Sequence, residues 1–421
     1  MSLASSRLQV LHVPSWYPTP ERPGHGVFIL EHVRACGLHH EAKVLYVHRR
    51  ERKGLGPFAI RVHRDPPPIV IEIEYSVPTR IRDALMGRRG RGLGVSDHPL
   101  PLLHPPQTLS GALRLLESWL RAVLVVLAAS LLVVRNGRPD ILHVHVFDAG
   151  PGAVFLSRML RIPMVVTEHW SALPLGQLSR VARMQARSVY NHAAVVLPVS
   201  QSLACAVTEV APHALCRVIS NVVDTSLFFC DQTDAHPSAI PAVLVVASLV
   251  PIKSVDTVVQ ATALLSTTRQ DFRVIIIGEG PERPRLEGLV QQLGVESLVM
   301  FQGALPKTDI ARWMRECAFL VVTSLWETQS VVTLEALCSG KRVLASAVGG
   351  LPELITGNRG VLFRQGRAEE LAAKMDLLLN TESVSGNAAL ATEAAAAFGV
   401  EAVARQLDAV YRSVAHRTRM L

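Results

Sequence analysis

The chain has 421 residues, 49% of them hydrophobic, enough to build a core and to exclude wholesale disorder. That length suits two α/β domains. A formal net charge of +8 without any nucleic-acid-binding signature points to nucleotides, phosphorylated substrates or acidic lipid, and away from DNA and RNA.

Six scattered cysteines form no CxxC pair, so zinc is not expected and they read as reduced cytosolic thiols. The N-terminus has only a short apolar run before the first strand, unlike a signal peptide, and a cytoplasmic protein is expected. Leu8–Val13 (LQVLHV) is that strand. After the loop SWYPTPERPGHG a helix is expected over 27–37. Gly24 and Gly26 before it let the backbone approach a ligand at an anion-favouring helix N-terminus. A second strand follows at 43–48. From there to residue 106 the sequence is rich in Arg and Pro, and only 69–76 reads as a strand. Two readings of the basic stretch Arg49–Arg91 are open: a solvated loop, or a surface for anionic lipid or a phosphorylated acceptor. Ala122–Val134 (AVLVVLAASLLVV) is 13 uncharged residues, short of the roughly 20 that span a bilayer. A helix buried between the sheet and its neighbours is expected, with insertion into a membrane surface as the other reading.

PDILHVHVFDAG is a strand whose far end carries His143 and His145. A helix at 152–160 and a strand at 163–167 run into Glu168-His169-Trp170. His169 thus sits on the loop after a buried parallel strand, where sites occur and where many histidines merely bond the backbone. A helix over 180–193, a strand at 194–199, Ser200 capping a helix through 210, and a strand at 217–220 complete the first half. Composition turns polar and proline-containing over 221–241, which places a domain boundary there. The second half restarts with strand 242–248, a loop holding Lys253, helix 255–265, strand 272–277, the turn Gly278-Glu279-Gly280 and a helix to about 293. Strand 299–302 and helix 307–316 come next, and helices are expected after Gly366.

The stretch Phe319–Leu351 concentrates the chemistry. It reads as an apolar strand, a polar elbow (Trp326-Glu327-Thr328-Gln329-Ser330), a helix over 331–338, a stop at Gly340 and a further strand at 343–346. Ligands of such units sit outside the strand C-termini, facing the helix N-terminus. Gly278-x-Gly280 lacks the third glycine of a dinucleotide fingerprint, Arg283 standing there. There is no P-loop and no DxD, so no metal is expected. Glu327 and Glu335 resemble a glycosidase pair only superficially: along a helix they would lie roughly 12 Å apart, beyond the about 5–9.5 Å of hydrolase carboxylates. Two ends of one long ligand suit them better, with Lys253 neutralising a phosphate between.

As a set, these segments resemble the retaining glycosyltransferases of family four, the group 1 type with the GT-B fold. The likeness rests on Glu327-x7-Glu335 followed by LEALCSGKRVLAS, on GGLPELI, ASLVPIKSVDTVVQA, IIIGEGPERPRLE and NVVDTSLF, and on WYPTPERPGHGVFILEHV, PDILHVH and VVTEHW. It is nearest in kind to bacterial enzymes of surface polysaccharide or glycolipid. It implies two doubly wound Rossmann-like domains facing a cleft: residues 1–225 for the acceptor, 235–395 for the donor, and a C-terminal helix at 396–421 packing back on the first domain. It implies no cofactor but a nucleotide-sugar co-substrate, UDP- or GDP-linked, and a saccharide or lipid-linked acceptor, at the inner face of the membrane if peripheral. In this resemblance Glu335 bonds the ribose, Lys253 the diphosphate and Glu327 the donor sugar. Gln329, Ser330, Val331 and Val332 lie at the phosphates, with Ser248 and Gly278 on neighbouring loops. Gly26 closes over the phosphates and His169 contacts the sugar near the reacting carbon. Three positions depart from the pattern: Ser248 replaces an arginine, Ser254 a glycine, and the elbow Glu327-Thr328-Gln329-Ser330 has no glycine. A catalytically weak nucleotide-sugar-binding partner in a polysaccharide assembly complex is the alternative they open.

Overall fold

The computed structural model describes residues 6–49, 58–64, 68–76, 111–230, 240–381 and 386–420. The chain divides into two compact units, Met1–Ser220 with Val403–Leu421, and Asn221–Ala402.

The first unit runs β1 (Gln9–Pro14), α1 (Val27–His39), β2 (Glu41–Arg49), β3 (Phe58–His63), β4 (Ile69–Tyr75), α2 (Gly111–Asn136), β5 (Ile141–His145), α3 (Gly150–Leu160), β6 (Met164–Glu168), α4 (Arg180–His192), β7 (Val195–Pro198) and α5 (Gln201–Val210). Among the described residues its strands form one sheet in the order β3-β4-β2-β1-β5-β6-β7. All neighbours are parallel except β3 against β4. The strands ILHVH, MVVTE and VVLP are buried at every position. Such unbroken burial belongs to parallel sheets covered on both faces, and each fully buried Val or Leu contributes roughly 1.5–3 kcal/mol. β1 begins the run to β2 and β4 on one side, and β5 begins the run to β6 and β7 on the other. The order therefore reverses between β1 and β5, the place where open α/β sheets leave a crevice.

Three sequence expectations change here. β3 was not foreseen; it is an exposed antiparallel edge whose Arg61 pairs in register with Glu72, held by charge rather than by an apolar face. At 217–220 there is no strand. Instead residues 215–219 run extended along β7, with Val196 N–H donating to Leu215 O and Arg217 N–H to Val196 O. The helix expected over 122–134 spans Gly111–Asn136 and is not buried between layers: one flank packs on α3 and β2 while the other is exposed. Its charged residues find partners, Glu117 with Arg49 at 2.7 Å and Arg121 with Asp148, so the helix continues through positions that appeared to end it. Most of the basic stretch Arg49–Arg91 lies outside the described residues.

The second unit runs β8 (Ala242–Val246), α6 (Asp256–Ser266), β9 (Arg273–Ile277), α7 (Arg283–Leu293), β10 (Val299–Gly303), α8 (Lys307–Glu316), β11 (Phe319–Val322), α9 (Val331–Cys338), β12 (Val343–Ser346), α10 (Leu351–Leu354), β13 (Gly360–Phe363), α11 (Ala368–Thr381) and α12 (Ala388–Phe398). A last helix, α13 (Val400–Met420), enters the first unit at Val403. There Tyr411 is fully buried against β5 and Asp408 pairs with His40. The sheet, entirely parallel, is ordered β10-β9-β8-β11-β12-β13. It reverses between β8 and β11, so the loops after those two strands flank the second crevice.

Candidate active site

The loops after β8 and β11 carry Lys253 and Glu327, and the fold brings them together. Lys253 ends a 3-10 turn, Pro251–Lys253. Its Nζ lies 2.5 Å from Glu327 Oε1, which also accepts the Ser324 hydroxyl at 2.8 Å. Two further bonds join the loops: Thr323 Oγ1 donates to Lys253 O, and Leu325 N–H to Ile252 O. The backbone of Glu327 is fixed from the other side, its carbonyl accepting Gly350 N–H at 3.0 Å. Gly349, at φ +53°, leaves room for that contact; a Cβ there would lie 1.8 Å from Glu327 O. The carboxylate and ammonium are thus set on a rigid frame at the switch point, a pair able to face an anionic ligand and a hydroxylated one side by side.

Ser330 caps α9, its Oγ accepting Thr333 N–H at 3.4 Å. The amides of Val331 and Val332 are the first of that helix and have no intrahelical carbonyl to bond, so they present a partial positive charge. The Gln329 side chain ties the elbow to the start of the unit, its Oε1 accepting Asn221 N–H at 2.6 Å. Glu335, one turn further along α9, is 7% exposed and pairs with Lys307 at 3.4 Å. Lys307 escaped the sequence reading because its contact is made between two helices packed in one cluster, from the first turn of α8 to α9. Ser248 is exposed after β8. Gly278 and Gly280 serve the protein's own packing: a Cβ would lie 1.8 Å from Ala247 O at the first and 2.2 Å from Leu249 O at the second. That close approach of two loops explains both glycines without a ligand.

Ser254 follows Lys253 at φ 45°, ψ 45°, the left-handed conformation that a glycine takes freely and a side chain pays for with roughly 1–2 kcal/mol. Its hydroxyl offsets part of this by bonding Asp256 Oδ1 and Thr257 Oγ1. Ser254→Gly is expected to raise the second unit's stability by about 0.5–1 kcal/mol, a Tm increase of about 2–4 °C in thermal unfolding. A lower Tm would mean that the hydroxyl outweighs the strain.

In the first unit, Gly26 takes φ 74° at the start of α1, where a Cβ would lie 2.8 Å from the Trp16 carbonyl. His169 is 7% exposed, its ring 4.8 Å from Phe28 and 5.3 Å from His32. Its backbone N–H, with those of Trp170 and Phe147 and the Tyr190 hydroxyl, donates to Glu168. Burial pushes the Glu168 carboxyl up against those four bonds. Around His169 the structure gathers His12, His32, His143 and His145, all buried. His12 Nδ1 and His145 Nε2 are 3.0 Å apart. Desolvation first, and the neighbouring histidines second, hold His12 down to about 3 and His143 and His145 well below the ordinary value. His12 and His32 were missed in sequence; the signal was the shared register of His12 on β1 with His143 on β5. Nitrogens of His12, His143 and His145 lie within 4.8 Å of one another, the arrangement that could hold a cation. Both ring nitrogens of His143 are, however, engaged, with Tyr411 OH and Thr167 Oγ1. A cation would find two nitrogens, short of the three or four protein ligands of a zinc site.

Two Rossmann-like units, one with a lysine–carboxylate pair and a capped helix N-terminus at its switch point, define the GT-B class of transferases acting on nucleotide-sugars. Residues 232–396 match the family described as glycosyl transferases group 1, and residues 24–227 match glycosyltransferase family 4. The chain belongs to the group 1 glycosyltransferases. It is 27% identical over 368 residues to the alpha-D-kanosaminyltransferase of Streptomyces kanamyceticus, covering 81% of this chain and 94% of that one. It is also 27% identical over 310 residues to the D-inositol 3-phosphate glycosyltransferase of Thermobispora bispora, covering 67% and 72%. In fold it is similar to sucrose-phosphate synthase of Thermosynechococcus elongatus, with TM-score 0.70 at 19% identity over 96% of this chain and 98% of the other. It is likewise similar to Anabaena HepE in complex with UDP-glucose, with TM-score 0.64 at 18% identity over 97% and 100%.

Proposed function

We propose that this glycosyltransferase moves a sugar, with retention at the anomeric carbon, from a UDP- or GDP-sugar to a hydroxyl of a saccharide or lipid-linked acceptor. The product belongs to polysaccharide or glycoconjugate biosynthesis, and the work is done in the cytoplasm without a metal. The observation that carries this reading is the Lys253–Glu327 pair beside the Ser330-capped helix that bears Glu335. Lys253 and the amides of Val331 and Val332 take the diphosphate, Glu335 the ribose and Glu327 the sugar hydroxyls. By the same resemblance Gly26 serves the phosphates and His169 the sugar near the reacting carbon. In the reacting complex the bond from the anomeric carbon to the phosphate oxygen breaks as the acceptor oxygen bonds the same face. The acceptor proton passes to the leaving phosphate, whose charge Lys253 and the helix amides stabilise.

Titration calorimetry of the full chain with UDP, GDP and ADP in EDTA tests it. Binding of one nucleotide, lost in Glu335→Ala, is the expected result. Ser248 in place of an arginine, and a Glu327 that already occupies Lys253, favour a second reading, the weak nucleotide-sugar-binding partner. Nucleotide binding with no turnover of any sugar nucleotide would select that one, and binding of no nucleotide would sink both.

A further inference from the structure

From Ala122 to Val134 α2 carries no charge, yet its apolar side chains are packed on one flank only. Val125 and Ala129 belong to the first unit's core. Gly152 of α3 sits so close that a Cβ would lie 2.7 Å from Ala122 O. On the opposite flank Leu116, Leu127, Leu131 and Val134 recur at helical spacing, 38%, 62%, 51% and 83% exposed, with Trp119 at 71% beside them. Within Leu116–Asn136 the most apolar window has a mean hydropathy of 1.9, and only 11% of its residues are buried. At about 1.5 Å per residue this is a stripe roughly 30 Å long. Soluble monomers do not leave such a stripe to water, and none of the described residues covers it.

The charges beside the stripe say what does. α3 packs along α2, and α4 packs on α3 and reaches α2 through Gln185 Nε2, which donates to Ser118 Oγ at 3.0 Å. Neither α3 nor α4 contains an Asp or Glu. Their exposed positions mix apolar and basic groups: Phe155, Arg158 and Met159 on α3, then Arg180, Val181, Arg183, Met184 and Arg187 on α4. Among the described residues no carboxylate pairs with any of these arginines, and Glu117, the acid of α2, is already paired with Arg49. Aliphatic stripe, exposed tryptophan and unneutralised arginines together are the chemistry of a helix lying in the interface of an anionic bilayer. A protein partner would be met by a rim of mixed charge. A transmembrane position would tear Val125 and Ala129 out of the core.

We propose that the outer flank of α2, with the arginines of α3 and α4, docks the enzyme on an anionic lipid surface, the stripe in the acyl boundary and the guanidinium groups on lipid phosphates. The surface belongs to the first unit and shares no residue with the donor site of the second, so its test is independent of the transfer reading.

The full chain is sedimented with vesicles of phosphatidylcholine, with and without phosphatidylglycerol, and nucleotide binding is measured alongside as a check of folding. Wild type is expected to bind the phosphatidylglycerol vesicles, and less as salt rises. Leu127→Glu/Leu131→Glu should weaken binding on the order of 100-fold. Arg180→Gln/Arg183→Gln/Arg187→Gln should do so by about 100-fold as well, acting on phosphatidylglycerol vesicles alone. The difference emission between wild type and Trp119→Phe should be that of a wet indole in buffer and shift blue on vesicles. No binding, equal binding to both vesicle types, or variants that bind like wild type would overturn the proposal. So would an indole already blue-shifted without lipid, which assigns the stripe to another part of the chain. A dimer that Leu127→Glu/Leu131→Glu dissociates would assign it to a second copy.

Discussion

Lys253→Ala is expected to weaken nucleoside diphosphate binding about 10–100-fold and to lower kcat/KM by roughly 10²–10³. Glu327→Gln should lower kcat about 100-fold while the diphosphate binds as well as to wild type, or several-fold more tightly. The asymmetry follows from the 2.5 Å contact between the two side chains. With the diphosphate absent, Glu327 is the counter-ion of Lys253. A diphosphate entering must share that ammonium, so part of its attraction to Lys253 offsets the bond being loosened. Removing the glutamate charge frees the lysine for phosphate but takes away the group meant for the sugar. Removing the lysine leaves a carboxylate that repels the phosphates, at 11% side-chain exposure and therefore little screened. The double variant Lys253→Ala/Glu327→Ala should bind diphosphate better than Lys253→Ala alone, a coupling that a double-mutant cycle reads directly. Calorimetry with the nucleotide and initial rates with its sugar conjugate separate the two effects. Wild-type diphosphate affinity in Lys253→Ala would remove this lysine from the phosphate site.

That pair shows which parts of the molecule were legible in sequence. The unit from Phe319 to Ser346 could be read residue by residue because each boundary has a local cause: a four-residue apolar run, Ser330 as a cap, Gly340 at φ +73° ending the helix. The alternation of strands and helices that fixes the class is equally local. Partnerships between elements distant in the chain are legible only where the chemistry asks for both members, as it does for Lys253 beside Glu327. Lys253 and Glu327 meet because β8 and β11 are neighbours, although β9 and β10 separate them in the chain. Lys307 reaches Glu335 from the helix packed beside α9, a pairing no local pattern announces. α2 was misjudged for a related reason. Arg121, which bounds the apolar run in sequence, looks like a solvated end until the fold supplies Asp148, and Glu117 beyond it finds Arg49. The apolar composition, taken as a sign of burial, was compatible with one buried flank and one open flank, and composition has no direction.

The buried histidines of the first unit make its stability fall steeply in mild acid. Burial, then the neighbouring imidazoles, lowers the pKa values of His12, His143 and His145, whereas in the unfolded chain each sits near 6.5. The folded values lie below the unfolded ones, so the native state stays neutral where the unfolded chain takes up protons. Stability is complete above about pH 6.5 and drains away as pH falls, for His12 down to about 3. Each group costs up to about 2 kcal/mol at pH 5, and three approach the whole stability of an ordinary domain. Glu168, pushed up by burial, titrates in the opposite sense and trims the slope near its own range. Calorimetric unfolding of the full chain between pH 8 and pH 5 should show the transition of the first unit moving far more than that of the second. His12→Asn supplies the check that absolute stability does not: whatever the substitution costs in packing, it removes one of the first unit's imidazoles with lowered pKa values, which include His25, His40 and His192 besides the three of the cluster, and should cut the pH slope by at most about one-quarter. An unchanged slope would mean that these histidines already carry protons in the folded protein, and the neutral, desolvated cluster around His169 would have to be given up.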